Sequence, residues 1–225
     1  MYTVIFDLDG TLVDTRKDLM SAGNATYADL NWTVRLKEGI DDGIAIAGGR
    51  AMIKHGMKIE NLPLDTMFVE STYPLLLKHY DLVIDKYSHL YSGVIEMLHL
   101  LQEKDWKIGL CTNKPELQAN ILLKKMGIRH FFGSFVGADT VGVAKPNPKP
   151  LLSAIERLGG SIDRSVLIGD TKTDRDTALA AGVKSLLVNY GHGSLTQEMK
   201  DLYPDAIVDK PLEIIDSLEL LFSRS

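Results

Sequence analysis

The chain has 225 residues, 45% of them apolar and 24% charged, a balance that supports a buried core and excludes wholesale disorder and collagen-like structure. Lysine plus arginine number 25 against 30 aspartates and glutamates, and the net charge of −5 argues against a general affinity for nucleic acid or for an anionic membrane surface. The single cysteine, Cys111, excludes an internal disulfide and a cysteine-rich metal site, and no apolar run approaches the roughly 18 residues that span a bilayer.

The N-terminus carries no basic stretch ahead of an apolar one, so a cytoplasmic location is expected. Tyr2-Thr3-Val4-Ile5-Phe6 is β-branched and aromatic, too short for a helix, and closed by Asp7-Leu8-Asp9-Gly10, a pattern that predicts a buried strand. Residues 15–88 then break any strand rhythm. Leu19, Ala22, Tyr27 and Leu30 in one stretch, and Met67, Phe68 and Leu75 to Leu77 in another, read as helical, with Pro74 expected to kink or end the second. A segment of that length is uncommon as a bare loop, and a helical insertion is expected.

From Gly93 a repeating unit takes over. Val94, Met97, Leu98 and Leu101 fall at i, i+3, i+4 and i+7 ahead of a strand over Trp106 to Cys111. A helix from Pro115 to Met126 is stopped by Gly127, and a strand follows over Ser134 to Gly137. Next come a helix from Asn147-Pro148 to Leu158, a strand over Ser165 to Ile168, a helix from Thr173 to Ala181 closed by Gly182, and a strand over Ser185 to Val188. Ala206 to Val208 precedes a last helix striped by Leu212, Ile215, Leu218 and Phe222. Strands alternating with such helices predict an α/β fold, a doubly wound parallel sheet, with a core over 1–14 and 89–225 and a helical insertion over 15–88.

Aspartates stand directly at strand ends, Asp7 after the first and Asp170 after Val166-Leu167-Ile168-Gly169, where ligands of open α/β sheets bind. Thr112 ends a third strand beside them. Asp7 and Asp9, at i and i+2, are expected to face one side while Leu8 turns inward, and two such carboxylates repel unless a proton or a divalent cation offsets them. The pair reads equally as a polar turn leaving a strand. Thr171 and Asp174 form a capping-box pattern, which accounts for Asp174 but not for Asp170 before it. Oxygen ligands gathered from separate strand ends suit Mg²⁺. In Lys145-Pro146-Asn147-Pro148-Lys149-Pro150 the prolines and Asn147 read as a helix entry, whereas Lys145 is left as a cation that could face an anion. Thr112-Asn113 reads either as site or as ordinary capping before Pro115. Cys111 is expected to be a buried strand residue, and His192 a loop residue rather than a ligand.

In this order and spacing, Asp7-Leu8-Asp9-Gly10-Thr11-Leu12-Val13-Asp14, Leu110-Cys111-Thr112-Asn113-Lys114, Lys145-Pro146 and Gly169-Asp170-Thr171-x-x-Asp174 resemble the four motifs of the haloacid-dehalogenase-like hydrolase superfamily, most closely its phosphoglycolate phosphatase-like branch. The insertion after Asp14 resembles the family's first type of helical cap. The resemblance implies a phosphatase of a small phosphorylated metabolite working through an aspartyl-phosphate, with 2-phosphoglycolate as first candidate and no nucleic-acid or membrane partner. It implies Asp7 as nucleophile, Asp9 as general acid and then base, and Thr112 and Lys145 as phosphate and charge anchors. It also implies Mg²⁺ held by Asp7, the carbonyl of Asp9 and Asp170, with Asp174 in support. Asn113 and Arg50 are the candidate substrate contacts.

Two departures stand out: Ser92-Gly93 replaces a frequent Pro-Gly, and Ala47-Gly48-Gly49-Arg50 only loosely matches the branch's specificity loop. Gly48-Gly49 would let a backbone approach a ligand, and the Arg50 guanidinium would pair with a carboxylate. The competing reading is a solvated arginine opening a helix over Ala51 to His55. A phosphomutase or another sugar-phosphate phosphatase is the alternative within the family. A dehalogenase is disfavoured by Asp9, and a phosphonatase would need Lys54 or Lys58 as its Schiff-base lysine. Outside the family's chemistry, the chain would be a non-catalytic binding module.

Overall fold

Thr3-Val4-Ile5-Phe6 forms β1 (Thr3–Phe6) with every residue buried, because both faces of the strand are covered and no polar alternation is needed. The computed structural model describes residues 1–190 and 196–223, so the expectation for His192 lies outside the described residues. The described chain divides into two compact units, Met1–Asp14 with Leu90–Ser225, and Thr15–His89.

The first unit is α/β. Two-residue strands β2 (Val13–Asp14) and β3 (His89–Leu90), not anticipated from sequence, pair as a separate sheet where the chain leaves and re-enters this unit. The helical unit lies between them, with α1 (Arg16–Asp29), α2 (Asp42–Ile46), α3 (Gly49–Ile59) and α4 (Thr66–Asp81). Then follow α5 (Val94–Glu103), β4 (Lys107–Cys111), α6 (Glu116–Lys125), β5 (Ser134–Val136) and α7 (Lys149–Arg157). The unit closes with β6 (Ser165–Gly169), α8 (Lys172–Ala181), β7 (Lys184–Val188), α9 (Thr196–Asp201), β8 (Ala206–Val208) and α10 (Glu213–Ser223).

The main sheet runs β5-β4-β1-β6-β7-β8 with every ladder parallel. The chain works outward from β1 through β4 to β5, then crosses back to β6 on the other side. The strand order therefore reverses at β1, and a crevice opens at the carboxyl ends of β4, β1 and β6. Register sets the level of each end: Phe6 pairs with Leu110 on one side and Ile168 on the other. One face of the sheet is filled by Ile5, Cys111, Val136 and Leu167 against Leu151, Ala154 and Ile155 of α7 and Ala178 and Ala181 of α8. No helix among the described residues is long and apolar enough to cross a membrane.

Several sequence expectations are corrected. Tyr2 lies outside β1 and stacks on Trp106, and Leu212 precedes α10, whose buried face is Ile214, Ile215, Leu218 and Phe222. Met67 is 81% exposed rather than part of a buried stripe. Of the kink or end expected at Pro74, the end does not occur: α4 continues through it, as packing against α1 and α3 outweighs one missing N–H. The Gly48-Gly49 pair also has a structural reason, since Gly48 takes a positive φ of 90° and a Cβ on Gly49 would meet Tyr73 and Leu76 at 2.8 Å.

Candidate active site

Asp7 and Thr112 extend the ladders by one residue each. The Asp7 N–H donates to the Ile168 carbonyl at 2.8 Å, and the Thr112 N–H to the Val136 carbonyl at 3.0 Å. Just beyond, the chain turns over itself: the Leu8 carbonyl accepts the N–H groups of Thr11, Leu12 and Val13, and Gly10 takes a φ of 82° that its missing Cβ permits. Leu8 is buried as expected.

Asp7, Asp170 and Asp174 place carboxylate oxygens within 4.8 Å of one another, all three residues buried. Asp174 reaches the strand ends from the first turn of α8, in the capping-box arrangement read from the sequence. Gly169 makes room for it, since a Cβ there would lie 2.2 to 2.5 Å from the Asp174 side chain. One oxygen of Asp174 accepts from Lys145 Nζ at 2.6 Å and the other from the Thr171 N–H and hydroxyl at 3.2 and 2.7 Å. Asp170 accepts from the Thr11 hydroxyl at 3.3 Å.

Lys145 Nζ also lies 3.1 Å from Asp7 Oδ1, a charge contact without hydrogen-bond alignment, so that this buried oxygen has no hydrogen bond. Burial pushes the Asp7 carboxyl up to about 7; Lys145 opposes this, while Asp174, Asp170 and Asp9 add to it. Burial pulls the Lys145 ammonium the other way, but Asp174 and then Asp7 outweigh it and raise its pKa, so Lys145 stays charged. Three clustered carboxylates are thus met by one buried ammonium, which contacts two of them, Asp7 and Asp174. That excess of negative charge, with an unbonded oxygen on Asp7, fits a divalent cation bound by oxygen ligands.

Asp9 stands apart from this cluster. Both of its carboxylate oxygens accept from Lys114 Nζ, at 2.8 and 2.9 Å, and the Lys114 side chain is 4% exposed. Lys114 was not among the residues expected to carry chemistry, although its position held a signal: a cation just ahead of a helix N-terminus is disfavoured by the helix dipole and so implies an anionic partner. Tyr190 was also missed. Its hydroxyl donates to the Thr11 carbonyl at 2.9 Å, steadying the turn that carries Asp9. The Thr112 hydroxyl accepts the Lys114 N–H at 3.1 Å, which leaves its own proton to donate.

Two expected substrate contacts are otherwise engaged. The Asn113 carboxamide bonds the main chain of Lys145, and the Arg50 guanidinium makes a two-point pair with Glu70 at 2.7 and 2.8 Å while stacking over Tyr73. Cys111 is buried and its thiol is pushed up to about 12 by burial, as suits a strand residue.

A family model described as haloacid dehalogenase-like hydrolase matches residues 4–188. A phosphoglycolate phosphatase from Agrobacterium fabrum is 34% identical over 205 residues, covering 91% of this chain and 87% of the relative. One from Mesorhizobium japonicum is 32% identical, covering 91% and 89%. The crystal structure of a predicted phosphoglycolate phosphatase from Haemophilus somnus has the same fold, with a TM-score of 0.83 at 23% identity over 96% of this chain and 97% of that one. Similarity across nearly the whole chain accompanies the strand-end motifs, and the chain belongs to the haloacid dehalogenase-like hydrolases, as a phosphatase of their phosphoglycolate phosphatase-like branch.

Proposed function

We propose that the protein hydrolyses a small phosphomonoester, 2-phosphoglycolate first among the candidates, through an aspartyl-phosphate on Asp7, with Mg²⁺ as its cation. The observation that carries this reading is the buried Asp7 carboxylate with one oxygen unbonded, 3.1 Å from the Lys145 ammonium. Phosphate monoesters resist attack because nucleophile and phosphoryl group are both anionic. Lys145 offsets that repulsion, and the Thr112 hydroxyl donates to a phosphoryl oxygen. An Asp7 oxygen attacks phosphorus, the bond from phosphorus to the ester oxygen breaks, and the leaving oxygen takes a proton from Asp9. Water then attacks the Asp7-bound phosphoryl group, Asp9 takes its proton, and inorganic phosphate leaves with the Asp7 carboxylate restored. Asp7, Asp170 and the Asp9 carbonyl would hold Mg²⁺, with Asp174 behind them, and the ion would add positive charge against the phosphoryl oxygens.

Asp9 enters the first step as an acid, so Lys114 must release its grip on the carboxylate before or during substrate binding. The helical unit takes the part of the family's cap in this reading, and the expected cytoplasmic location stands as part of it. Assay of 2-phosphoglycolate and p-nitrophenyl phosphate, with chelator and then with added Mg²⁺, tests the reaction. Peptide mass spectrometry after acid quench tests the intermediate, which should accumulate in Asp9→Asn. Release of inorganic phosphate in the presence of Mg²⁺, with the phosphoryl group found on Asp7, is expected. Phosphoryl transfer to a second hydroxyl of a sugar phosphate without phosphate release would point to a mutase, and modification at another residue would overturn Asp7.

A further inference from the structure

Lys145 must keep its ammonium between Asp174 and Asp7, yet it stands in the stretch 137–148, which carries no helix or strand. A lysine stem is long and flexible, so an accurately placed ammonium needs a fixed main chain beneath it. Hydrogen bonds at both ends hold this stretch to the residues after β4. At its start the Ala138 N–H donates to the Lys114 carbonyl at 3.0 Å, the Asp139 carboxylate accepts the Glu116 N–H at 2.9 Å and the Thr140 hydroxyl donates to the Glu116 carboxylate. At Lys145 itself the tie is made by a single side chain: Asn113 Oδ1 accepts the Lys145 N–H at 2.9 Å, and Asn113 Nδ2 donates to the Lys145 carbonyl at 3.0 Å. A carboxamide offers donor and acceptor side by side, so one residue ties both polar groups of the Lys145 main chain.

We propose that Asn113 is a positioning residue that acts through Lys145 and does not touch the substrate. The inference rests on the reading of Lys145 as the cation facing the transferred phosphoryl group. Every phosphomonoester presents that same group. Loosening the clamp should therefore slow all substrates by one common factor, whereas a substrate-contact residue would discriminate among leaving groups. Asn113 is itself exposed, so replacing it removes no core packing.

The test compares the full-length protein with Asn113→Ala, and with Asn113→Asp, which keeps the acceptor and loses the donor. For Asn113→Ala, kcat is expected to fall by the same factor on p-nitrophenyl phosphate and on 2-phosphoglycolate, about 10- to 100-fold as for an ångström-scale misplacement, with KM unchanged. Added to Lys145→Ala, the same substitution should cost little more, because the residue it acts through is gone. Hydrogen exchange at Lys145 should speed up in Asn113→Ala, which loses the acceptor of its N–H, and less in Asn113→Asp, while the strands keep their protection. A rise in KM confined to 2-phosphoglycolate, losses that multiply fully in the double variant, or unchanged exchange at Lys145 would each overturn the clamp. If the wild-type protein hydrolyses neither ester, the functional reading fails while the exchange measurement still decides the clamp.

Discussion

Two buried aspartates, one in each unit, behave in opposite ways. Asp18, in the first turn of α1 in the helical unit, accepts from the Tyr87 N–H at 3.0 Å, the Ser88 N–H at 2.8 Å and the Ser88 hydroxyl at 2.6 Å. Its charge is fully occupied in fastening the end of that unit to its beginning. Asp7, in the α/β unit, keeps one oxygen without a hydrogen bond and sits beside two further carboxylates, with a single lysine ammonium 3.1 Å away. Burial with complete pairing marks a structural anion, while burial among like charges with an open oxygen marks a reactive one.

The strongest way to break this contrast is Asp7→Asn. An amide is nearly isosteric but lacks the attacking anionic oxygen, so turnover should fall by at least about a thousandfold. Stability should move the other way, because the amide removes a repelling charge. The folded-state pKa of about 7 lies above the ordinary aspartate value of 3.8, so between these pH values the metal-free folded protein holds a proton that the unfolded chain has released. The contribution of Asp7 to stability therefore declines as pH rises through that window and levels off above about 7. Thermal unfolding in chelator at pH 5.5 and 8 should show Asp7→Asn gaining on the wild type at the higher pH. A gap that does not change with pH would mean an ordinary surface-like carboxyl, and the contrast with Asp18 would collapse.

Asp170→Ala is the next test. It should raise the Mg²⁺ concentration for half-maximal activity by at least about tenfold, since water replaces a carboxylate poorly as a ligand. An unchanged titration would reduce Asp170 to an acceptor for Thr11.

The α/β architecture was legible because alternating apolar runs and capped helices are local signals, and the strand-end positions of Asp7, Thr112 and Asp170 follow from them. What the sequence could not show was who pairs with whom. Lys114 reaches Asp9 across 105 positions, and Lys145 reaches Asp174 across 29, contacts that exist only after the sheet order is set. Asn113 looked like a cap or a substrate contact because its partner, a main chain 32 residues away, leaves no mark on the local pattern. Gly169 looked like a strand ending, when its missing Cβ is what admits Asp174. In the helical unit the apolar spacing located helices but misjudged Met67, and of a kink or an end at Pro74 it is the end that packing overrode.

Asp18→Ala should invert the Asp7 result. Removing the carboxylate strands the Tyr87 and Ser88 donors, at a cost of about 2 to 3 kcal/mol. For a protein of this size that lowers the melting temperature by roughly 4 to 12 °C, while kcat on p-nitrophenyl phosphate at room temperature should change by less than about threefold. Lost activity without lost stability would place Asp18 in the chemistry and erase the distinction between the two aspartates.

The smallest effect is expected at Arg50. Its guanidinium is taken by Glu70 and by the ring of Tyr73, yet its side chain is 46% exposed, and exposed ion pairs contribute little to stability. Arg50→Ala should leave the melting temperature almost unchanged and should alter kcat/KM for 2-phosphoglycolate and for p-nitrophenyl phosphate equally little. The two-point contact with Glu70 nevertheless shows that this side chain accepts a carboxylate in the geometry a carboxylated phosphate would offer. A selective loss on 2-phosphoglycolate, repaired by Arg50→Lys less well than by restoring Arg50, would mean that Glu70 occupies a place the substrate takes over. Glu70→Gln should then improve KM for 2-phosphoglycolate by freeing the guanidinium. No change in either variant leaves Arg50 as a solvated residue in the first turn of α3.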